Sequence, residues 1–388
     1  MTAPIRATFL TNMPAPYMRD VFAAMRADGR IVPRVLYMEM ALPGTRWKAP
    51  DLREEERVLP GRGLDLFGGR AQWNPTVCSE LRESDADIFI VSGYSSLTTQ
   101  IAMRWLRRTN RPWIFFGERP GIQSRRLPGR VLRSIAMSPM LRSASAVAAV
   151  GSSAVQAYQL CCQQSTRIFN IPYYTDTIPF LAVPARPGER DGQCRILYCG
   201  QLIERKGVDL LVKAFCRVAA RHSSVKLDFV GDGEMLDRLR EMTPSSLRDR
   251  IIFHGFSTLD DLPQHFARAD FMVLPSRHDG WGVVVNQALA AGLPVVASDA
   301  VGAAQDFVAG RGTGLIVPAG DEVALTEALA RFVSEISELR NCAKKARDVA
   351  AELSLERGVD RWVAMLLDTL SAAGVNPKSE CQSSRSMV

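Results

Sequence analysis

The chain has 388 residues, 47% of them apolar and 23% charged, and its net charge is +7. These values are typical of a folded soluble protein with two domains, and they exclude a disordered chain, a collagen-like repeat and a small disulfide scaffold. The longest uncharged stretches, residues 143–166 and 280–298, carry polar residues, glycine or proline. Neither is the clean apolar run of about 20 residues that a membrane span requires. No apolar signal-peptide core follows the N-terminus, so we expect a cytoplasmic protein.

The positive charge is concentrated in the first half of the chain. Residues 1–190 hold 25 basic and 15 acidic side chains, whereas residues 191–388 hold 23 and 26. Residues 101–142 alone contain ten Arg and a single acid, Glu118. Such an uneven distribution indicates two domains with different partners, and nucleic acid, anionic lipid and phosphorylated substrates are all compatible with it.

The first half alternates predicted strands with helical patterns. The predicted strands are residues 5–11, 31–38, 88–92, 113–116, 146–150 and 168–171, and the first helix is 17–27. Residues 41–75 are rich in Pro and Gly and are interpreted as a loop excursion. Asp85 and Asp87 precede a strand, so we interpret them as solvated loop carboxylates and not as a metal motif.

The second half is more regular. Its predicted strands are residues 195–200, 225–230, 251–255, 271–274, 294–298 and 314–318, and they alternate with helices at 208–221, 234–241, 259–267 and 283–291. Strands that alternate with helices predict βαβ units and a parallel sheet with both faces covered, which is a doubly wound α/β domain. Further helices are predicted near residues 322–335, 338–351 and 356–370.

Ligands of open α/β sheets bind where the strands end, and three loops of the second half are unusual there. Residues 200–207 place Arg205 and Lys206 just before a helix, an arrangement that suits a diphosphate, although two solvated cations fit equally well. Gly231 and Gly233 in the second loop permit close approach of a ligand or form a plain turn.

The third loop carries the strongest signal. Gly280 and Gly282 flank Trp281 at the start of a helix, with Asp279 just ahead and Gln287 eight residues further on. One polar side chain in the loop and one on the helix can converge on a ligand whose phosphates face the helix N-terminus. The alternative is a pair of turn glycines, a surface acid and a helix cap.

Together with residues 269–276, these loops resemble the C-terminal domain of GT-B retaining glycosyltransferases of family 4. The resemblance covers roughly residues 193–320, and residues 10–17 are similar to the opening loop of some members. It implies two doubly wound Rossmann-like α/β domains that face each other across a cleft. The expected organisation is an acceptor-binding domain at residues 1–178, a nucleotide-sugar-binding domain at 179–355, a helix at 356–373 that packs back on the first domain, and a disordered tail at 374–388.

The activity that the resemblance implies is transfer of a sugar from an NDP-sugar to an acceptor hydroxyl, with retention of configuration and with no metal or other cofactor. Arg205 and Lys206 would hold the diphosphate, Asp279 would contact the hydroxyls of the sugar, and Gln287 would bind the ribose. Further donor-binding positions are Gly200, Gly231 and Gly233 and the backbone amides of Gly280, Trp281, Gly282 and Val283.

Two positions depart from the family pattern, which has Glu at both places. Asp279 keeps the charge but is one methylene shorter, and Gln287 keeps hydrogen-bonding capacity but loses the charge. The loss of charge at Gln287 leaves open a non-catalytic subunit that binds NDP-sugar. A sugar-nucleotide 2-epimerase is a second alternative, because it has a similar two-domain fold.

In the first half, Glu118 and Arg119 follow a predicted strand and are candidates for the acceptor side. Glu118 is placed to orient or deprotonate the acceptor hydroxyl, or it simply pairs with an Arg. Asn12 and Tyr17 are candidates to line the same site, with helix core as the alternative for Tyr17.

The arginine-rich stretch has two interpretations. One is a solvated helix in an Arg-rich protein. The other is a surface that meets anionic lipid headgroups, because apolar residues lie between the cations; its residues are Arg104, Arg107, Arg108, Arg125, Arg126, Arg130 and Arg133. We favour a peripheral membrane surface over nucleic acid, because no nucleic-acid recognition motif accompanies the charge.

The eight cysteines and four histidines show no C-x-x-C pair and no spacing typical of a zinc site. We therefore expect structural thiols and no metal-ligand set.

Overall fold

The computed structural model describes residues 3–42, 49–66, 69–120, 141–182 and 193–376. The chain divides into two compact units, one formed by residues 1–173 together with 355–388 and the other by residues 174–354. The change of unit falls between Tyr173 and Tyr174, shortly before the proline-containing stretch 179–192. Residues 183–192 of that stretch and residues 377–388 of the predicted disordered tail lie outside the described residues.

The first unit is built on a parallel sheet whose strand order is β3-β2-β1-β6-β7-β8-β9. From the centre of the sheet, β1 to β3 follow one another towards one edge, and β6 to β9 follow one another towards the other. This is the doubly wound arrangement, and its switch point lies between β1 and β6. Its strands are β1 (Ile5–Thr11), β2 (Ile31–Tyr37), β3 (Glu56–Val58), β6 (Ile88–Ser92), β7 (Trp113–Gly117), β8 (Ala146–Ala149) and β9 (Ile168–Asn170), and a hairpin adds β4 (Arg62–Leu66) and β5 (Gly69–Trp73).

The prediction of a loop at residues 41–75 is wrong in part. β3 pairs in parallel with β2, and β4 pairs antiparallel with β5. The apolar pattern of the sequence does not indicate β3, because this edge strand contains a buried acid, Glu56. Its carboxylate accepts hydrogen bonds from Arg19 at 2.8 and 2.7 Å and from the hydroxyl of Tyr37 at 2.8 Å, so its burial is compensated by partners instead of by apolar character.

Of the two aspartates ahead of β6, Asp85 is exposed, with a side chain that is 57% accessible, whereas Asp87 is not the solvated residue that we expected. Asp87 is 5% exposed, and it accepts hydrogen bonds from the backbone amide of Arg6 at 2.9 Å and from its guanidinium at 3.1 Å. Asp85 also pairs with the Arg6 guanidinium. Both acids therefore hold the beginnings of β1 and β6 together.

Helices flank the first sheet, and the last helix of the chain belongs to this unit. These helices are α1 (Pro16–Asp28), α2 (Val77–Glu83), α3 (Leu97–Arg108), α4 (Ser152–Cys161) and α13 (Leu355–Ala372). α13 packs against α1. Its Trp362 is 1% exposed, and its ring lies 5.4 Å from that of Phe9 and 5.2 Å from that of Phe116. This indole anchors the C-terminal helix in the core of the first unit.

The second unit repeats the architecture, with a parallel sheet of order β12-β11-β10-β13-β14-β15. Its strands are β10 (Cys194–Cys199), β11 (Val225–Val230), β12 (Ile251–Gly255), β13 (Phe271–Leu274), β14 (Val295–Ser298) and β15 (Gly314–Val317). Its helices are α5 (Ile178–Ala182), α6 (Val208–Ala219), α7 (Leu236–Met242), α8 (Leu262–Ala267), α9 (Val284–Ala290), α10 (Gly302–Phe307), α11 (Glu322–Ser334) and α12 (Ile336–Ala350). The strands predicted for this half are confirmed to within one residue at each end.

Candidate functional site

The three unusual loops of the second unit meet at the carboxyl end of its sheet. The strand order reverses between β10 and β13, so the carboxyl ends of these two strands form the switch point of the sheet. Residues 200–206 follow β10, and residues 275–282 follow β13. This is the position at which open α/β sheets bind their ligands.

Gly207 joins the first loop to the third. Residues Glu204–Lys206 form a short 3₁₀ turn, and Gly207 then adopts a left-handed conformation with φ of 69°. A Cβ atom at this position would lie 2.1 Å from the carbonyl oxygen of Pro275. The backbone amide of Arg277 donates to the carbonyl of Arg205 at 2.8 Å, so the two loops are in direct backbone contact.

The second loop packs on the first in the same manner. Gly231 has a φ of 138°, and a Cβ atom there would lie 1.9 Å from the carbonyl oxygen of Gly200. A Cβ atom on Gly233 would lie 2.4 Å from the carbonyl oxygen of Leu202. The need for glycine at both positions therefore comes from the packing of one loop on another, which fixes the loop that carries the cations.

Two cations and one acid form the centre of this site. The Nζ atom of Lys206 lies 2.5 Å from Oδ2 of Asp279. Arg205 donates from Nη1 to the carbonyl of His278 at 2.9 Å, and the same atom lies 3.9 Å from Oδ1 of Asp279. The side chains of Lys206 and Asp279 are 14% and 9% exposed, whereas that of Arg205 is 38% exposed. The cluster has one excess positive charge, which favours binding of an anion.

Neighbouring contacts hold the loop that carries Asp279. Its amide donates to the carbonyl of Ala300 at 3.1 Å. Arg277 binds both carboxylate oxygens of Asp209, in the first turn of α6, at 2.7 Å each. Burial raises the pKa of Asp209, but the hydrogen bonds and the charge of Arg277, together with hydrogen bonds from the backbone, outweigh this effect and leave that pKa below its ordinary value. This bidentate pair ties the third loop to the helix that follows the first.

The side chain of Gln287 is available to a ligand, whereas that of Trp281 is buried in the core. Gln287 is the fourth residue of α9 and is 8% exposed, and within the described part of the chain its side-chain amide makes no hydrogen bond, so it is available to a ligand. Trp281 is 2% exposed and packs edge-on against Phe307, with 5.9 Å between ring centroids. Its ring belongs to the core, which leaves its backbone as the part that a ligand can reach.

The first unit has a cavity of about 500 Å³ at the carboxyl ends of β1, β6 and β7. This is the switch point of its sheet, between β1 and β6. The candidate acceptor-side residues Asn12, Tyr17, Glu118 and Arg119 all line it. The structure therefore brings together four residues, of which the first and the last are more than 100 positions apart in the sequence.

Two residues of this cavity have no counterpart in the sequence-based prediction. The hydroxyl of Tyr158 donates to the backbone carbonyl of Glu118 at 2.8 Å, and Tyr173 lines the cavity beside Tyr17, with 4.8 Å between their ring centroids. Burial, followed by the nearby charge of Glu118, raises the pKa of Tyr173 well above its ordinary value. Tyr173 follows a predicted strand, so its position at the sheet edge was a usable signal, whereas Tyr158 lies on a helix and gave none.

The cationic stretch is described only in part. Arg104, Arg107 and Arg108 are exposed on α3. The other four arginines of the candidate membrane surface, at positions 125, 126, 130 and 133, lie outside the described residues. No helix that the structure describes has both the length and the apolar character needed to cross a bilayer.

The potential metal ligands of the described residues do not form a cluster. Among the described residues, no three His, Cys, Asp or Glu side chains come together in a way that could hold a metal ion. Burial raises the pKa of the Cys162 thiol to about 11 and that of Cys199 to about 12. Both thiols are therefore protonated at neutral pH, as is typical of structural cysteines.

Comparison with known proteins relates the second unit to a family of transferases. Residues 193–335 match the family model described as "Glycosyl transferases group 1". A GDP-mannose-dependent alpha-(1-6)-phosphatidylinositol monomannoside mannosyltransferase of Mycobacterium tuberculosis is 32% identical over 209 residues, 50% of this chain and 48% of the relative. The lipopolysaccharide core biosynthesis mannosyltransferase LpsB of Rhizobium meliloti is 35% identical over 149 residues, 35% of this chain and 40% of the relative. The chain thus spans less than half the length of these curated relatives.

Solved structures match over nearly the whole chain. Sucrose-phosphate synthase from Thermosynechococcus elongatus superposes with a TM-score of 0.72 at 20% identity, covering 95% of this chain and 100% of that one. HepE from Anabaena, solved in complex with UDP, superposes with a TM-score of 0.70 at 17% identity, covering 94% and 100%. At this identity the likeness concerns the fold alone, and the predicted fold of two Rossmann-like domains, GT-B, is confirmed.

Proposed function

We propose that this chain, whose residues 193–335 match the glycosyl transferases group 1 family, is a glycosyltransferase. It moves a sugar from an NDP-sugar to a hydroxyl of a lipid-linked or saccharide acceptor in cell-surface glycan biosynthesis, with retention of configuration. The observation that carries the proposal is the cluster of Arg205 and Lys206 around Asp279 at the switch point of the second sheet. The activities of the relatives, a GDP-mannose-dependent phosphatidylinositol monomannoside mannosyltransferase and a lipopolysaccharide core mannosyltransferase, support a nucleotide sugar as donor and a lipid-linked glycan as acceptor.

In this proposal the cations act on the leaving group. The bond between the anomeric carbon and the β-phosphate breaks, and negative charge grows on the diphosphate as it leaves. Arg205 and Lys206 stabilise that charge from fixed positions, which is the task of a metal ion in other transferases, and we therefore propose a reaction without a metal cofactor. Asp279 contacts the hydroxyls of the sugar, and Gln287 binds the ribose.

The acceptor occupies the cavity of the first unit. Its hydroxyl oxygen forms the new bond to the anomeric carbon and gives up its proton. Glu118 lines the cavity and is the carboxylate that receives or orients that proton. Asn12, Tyr17 and Arg119 surround the remainder of the acceptor.

The test of the donor site is a paired substitution with a matched control. Arg205→Ala with Lys206→Ala should lower NDP release by about 100-fold or more, because it removes the charge that stabilises the leaving group. The control is Lys213→Ala with Arg217→Ala, a Lys and an Arg on α6 that face Glu322 at 4.0 and 2.7 Å. It removes the same charge from the same unit and should leave NDP release unchanged. Equal turnover in both double variants would refute the diphosphate role.

We further propose a peripheral location at the inner face of the plasma membrane, through α3 of the first unit. Arg104, Arg107 and Arg108 are exposed on this helix, and Leu97 at its start and Trp73 at the end of β5 are 55% and 52% exposed. Cations beside exposed apolar side chains suit an anionic bilayer, where each basic residue contributes about 1 kcal/mol.

Vesicle sedimentation tests this surface. Replacing Arg104, Arg107 and Arg108 by Gln should move the protein from vesicles that contain phosphatidylglycerol into solution. The control replaces three exposed arginines of the second unit, Arg221, Arg238 and Arg248, and should leave sedimentation unchanged. The same loss in both variants would mean that overall charge, and not α3, governs the binding.

A further inference from the structure

The side chain of Arg277 contacts the chain on both sides of the two cations of the donor site. Its Nη1 atom donates to the carbonyl of Glu204, the residue before them, at 2.7 Å, and to Oδ1 of Asp209, beyond them, at 2.7 Å. Its Nη2 atom donates to Oδ2 of Asp209, also at 2.7 Å. A single guanidinium therefore spans the turn that carries Arg205 and Lys206.

The loop around Arg277 holds the same turn through further contacts. The backbone amide of Arg277 donates to the carbonyl of Arg205 at 2.8 Å, and Nη1 of Arg205 donates to the carbonyl of His278 at 2.9 Å. The next residue of the loop, Asp279, has its Oδ2 atom 2.5 Å from Nζ of Lys206. Three successive residues of the loop are therefore bonded to the turn, and Arg277 makes the largest share of these bonds.

The geometry of the pair is better suited to fixing a position than to stabilising the fold. The side chains of Arg277 and Asp209 are 33% and 14% exposed, and a partly exposed ion pair contributes little to the free energy of unfolding. The planar fork of an arginine, however, binds two carboxylate oxygens and a carbonyl in one fixed arrangement, which the point charge of a lysine cannot do. Cations that stabilise a leaving group are most effective when their positions are set before the reaction.

We propose that Arg277 and Asp209 are positioning residues, which hold the turn with Arg205 and Lys206 in the orientation that receives the diphosphate of the donor. The proposal rests on the proposed function of the donor site. Neither residue of the pair contacts the diphosphate, and both act through the two cations between the points that they hold.

This role predicts an effect whose sign is opposite to that of charge alone. Asp209→Asn removes a negative charge near the site and leaves Arg277 without its ionic partner. If only charge mattered, this variant would bind an anion more tightly. Because the turn is no longer fixed, we expect the variant to bind the anion more weakly.

Calorimetry with inorganic diphosphate measures this effect, since the probe carries neither ribose nor sugar. Asp209→Asn and Arg277→Gln should each raise the Kd by about three- to tenfold, at a temperature at which thermal unfolding shows the variants to be folded. The double variant should bind within about twofold of Arg277→Gln, because both changes break one contact. Arg277→Lys keeps the charge and loses the fork, so it should bind as weakly as Arg277→Gln.

Glu338→Gln and Arg331→Gln are the matched controls. This pair is also bidentate, at 2.7 and 2.6 Å, and it joins α11 to α12 in the same unit. Its loss should leave the Kd for diphosphate unchanged. An equal loss of binding in the controls, or full binding by Arg277→Lys, would overturn the proposal. Unchanged or tighter binding by Asp209→Asn would also overturn it, and tighter binding there with weaker binding by Arg277→Gln would make Arg277 a direct ligand of the diphosphate.

The positioning role and the proposed donor site fail separately. Arg205→Ala with Lys206→Ala, measured beside the other variants, should abolish binding of inorganic diphosphate. Binding that depends on these two cations but not on Arg277 and Asp209 would refute the positioning role alone. Binding that does not depend on the two cations would count against the donor site itself.

Discussion

Lys206 and Asp279 form an ion pair, with 2.5 Å between Nζ and Oδ2. One cation proposed for the diphosphate is therefore already bound to the acid proposed for the sugar. Arg205, whose nearest approach to the same carboxylate is 3.9 Å, is the more exposed cation. A donor that binds here has to compete with Asp279 for Lys206, so the two residues of the pair should have opposite effects on a ligand that carries a diphosphate but no sugar.

Asp279→Asn should affect the binding of the diphosphate and the binding of the sugar in opposite directions. Removing the carboxylate frees Lys206 and removes a negative charge that repels the diphosphate, so free NDP should bind about three- to tenfold more tightly. An NDP-sugar should gain less, because the sugar loses its hydrogen bonds to the carboxylate. The preference for NDP-sugar over NDP, measured by calorimetry, should fall. A variant that weakens both ligands equally would contradict the roles assigned to the pair.

We expect that Gly207 is required for two reasons: its left-handed backbone conformation, and the close contact of its loop with the loop that carries Pro275. Gly207 and Gly310 both have a φ of 69°. A Cβ atom on Gly207 would lie 2.1 Å from the carbonyl oxygen of Pro275, whereas one on Gly310 would meet no atom of the described residues within 4 Å. Each change to Ala costs about 1–2 kcal/mol for the left-handed backbone, and Gly207→Ala should cost about 1–3 kcal/mol more through overpacking. Chemical denaturation measures both variants. Equal losses would show that the contact between the loops is unimportant.

Gln287→Glu should leave NDP binding unchanged or make it up to about tenfold tighter, because a carboxylate forms stronger hydrogen bonds to ribose hydroxyls than an amide does. Gln287→Ala should weaken NDP and leave inorganic diphosphate unaffected, since the latter has no ribose. Binding of the two ligands to the two variants is compared by calorimetry. A large loss in Gln287→Glu, or a loss for inorganic diphosphate in Gln287→Ala, would show that Gln287 does not face the ribose.

The sheets and the donor loops could be predicted from the sequence because their signals are local. Buried parallel strands are continuous apolar runs, and the run at residues 271–274 is fully buried as β13. The loop residues Lys206 and Asp279 follow strands that meet at one edge of the sheet. Their direct pairing was not predicted, because it depends on how Gly207 brings two loops into contact.

What the sequence did not reveal depends on partners distant along the chain. Glu56 and Asp87 look like surface acids, and they are buried because Arg19 and Arg6 compensate their charge. Tyr173 looks like one more aromatic residue after a strand. It lines the same cavity as Glu118 because β7 and β9 end at the same edge of the sheet, with β8 between them.

The most direct test of the central claim is the dependence of NDP release on an acceptor. The chain is incubated with a panel of NDP-sugars, with and without membrane glycolipid extract, and products are followed by mass spectrometry. We expect NDP to be released only when acceptor is present, together with a product heavier by one sugar residue, and neither to appear with the Arg205→Ala, Lys206→Ala variant. Conversion of an NDP-sugar into its epimer without acceptor, or donor binding without any release of NDP, would contradict the assignment as a glycosyltransferase.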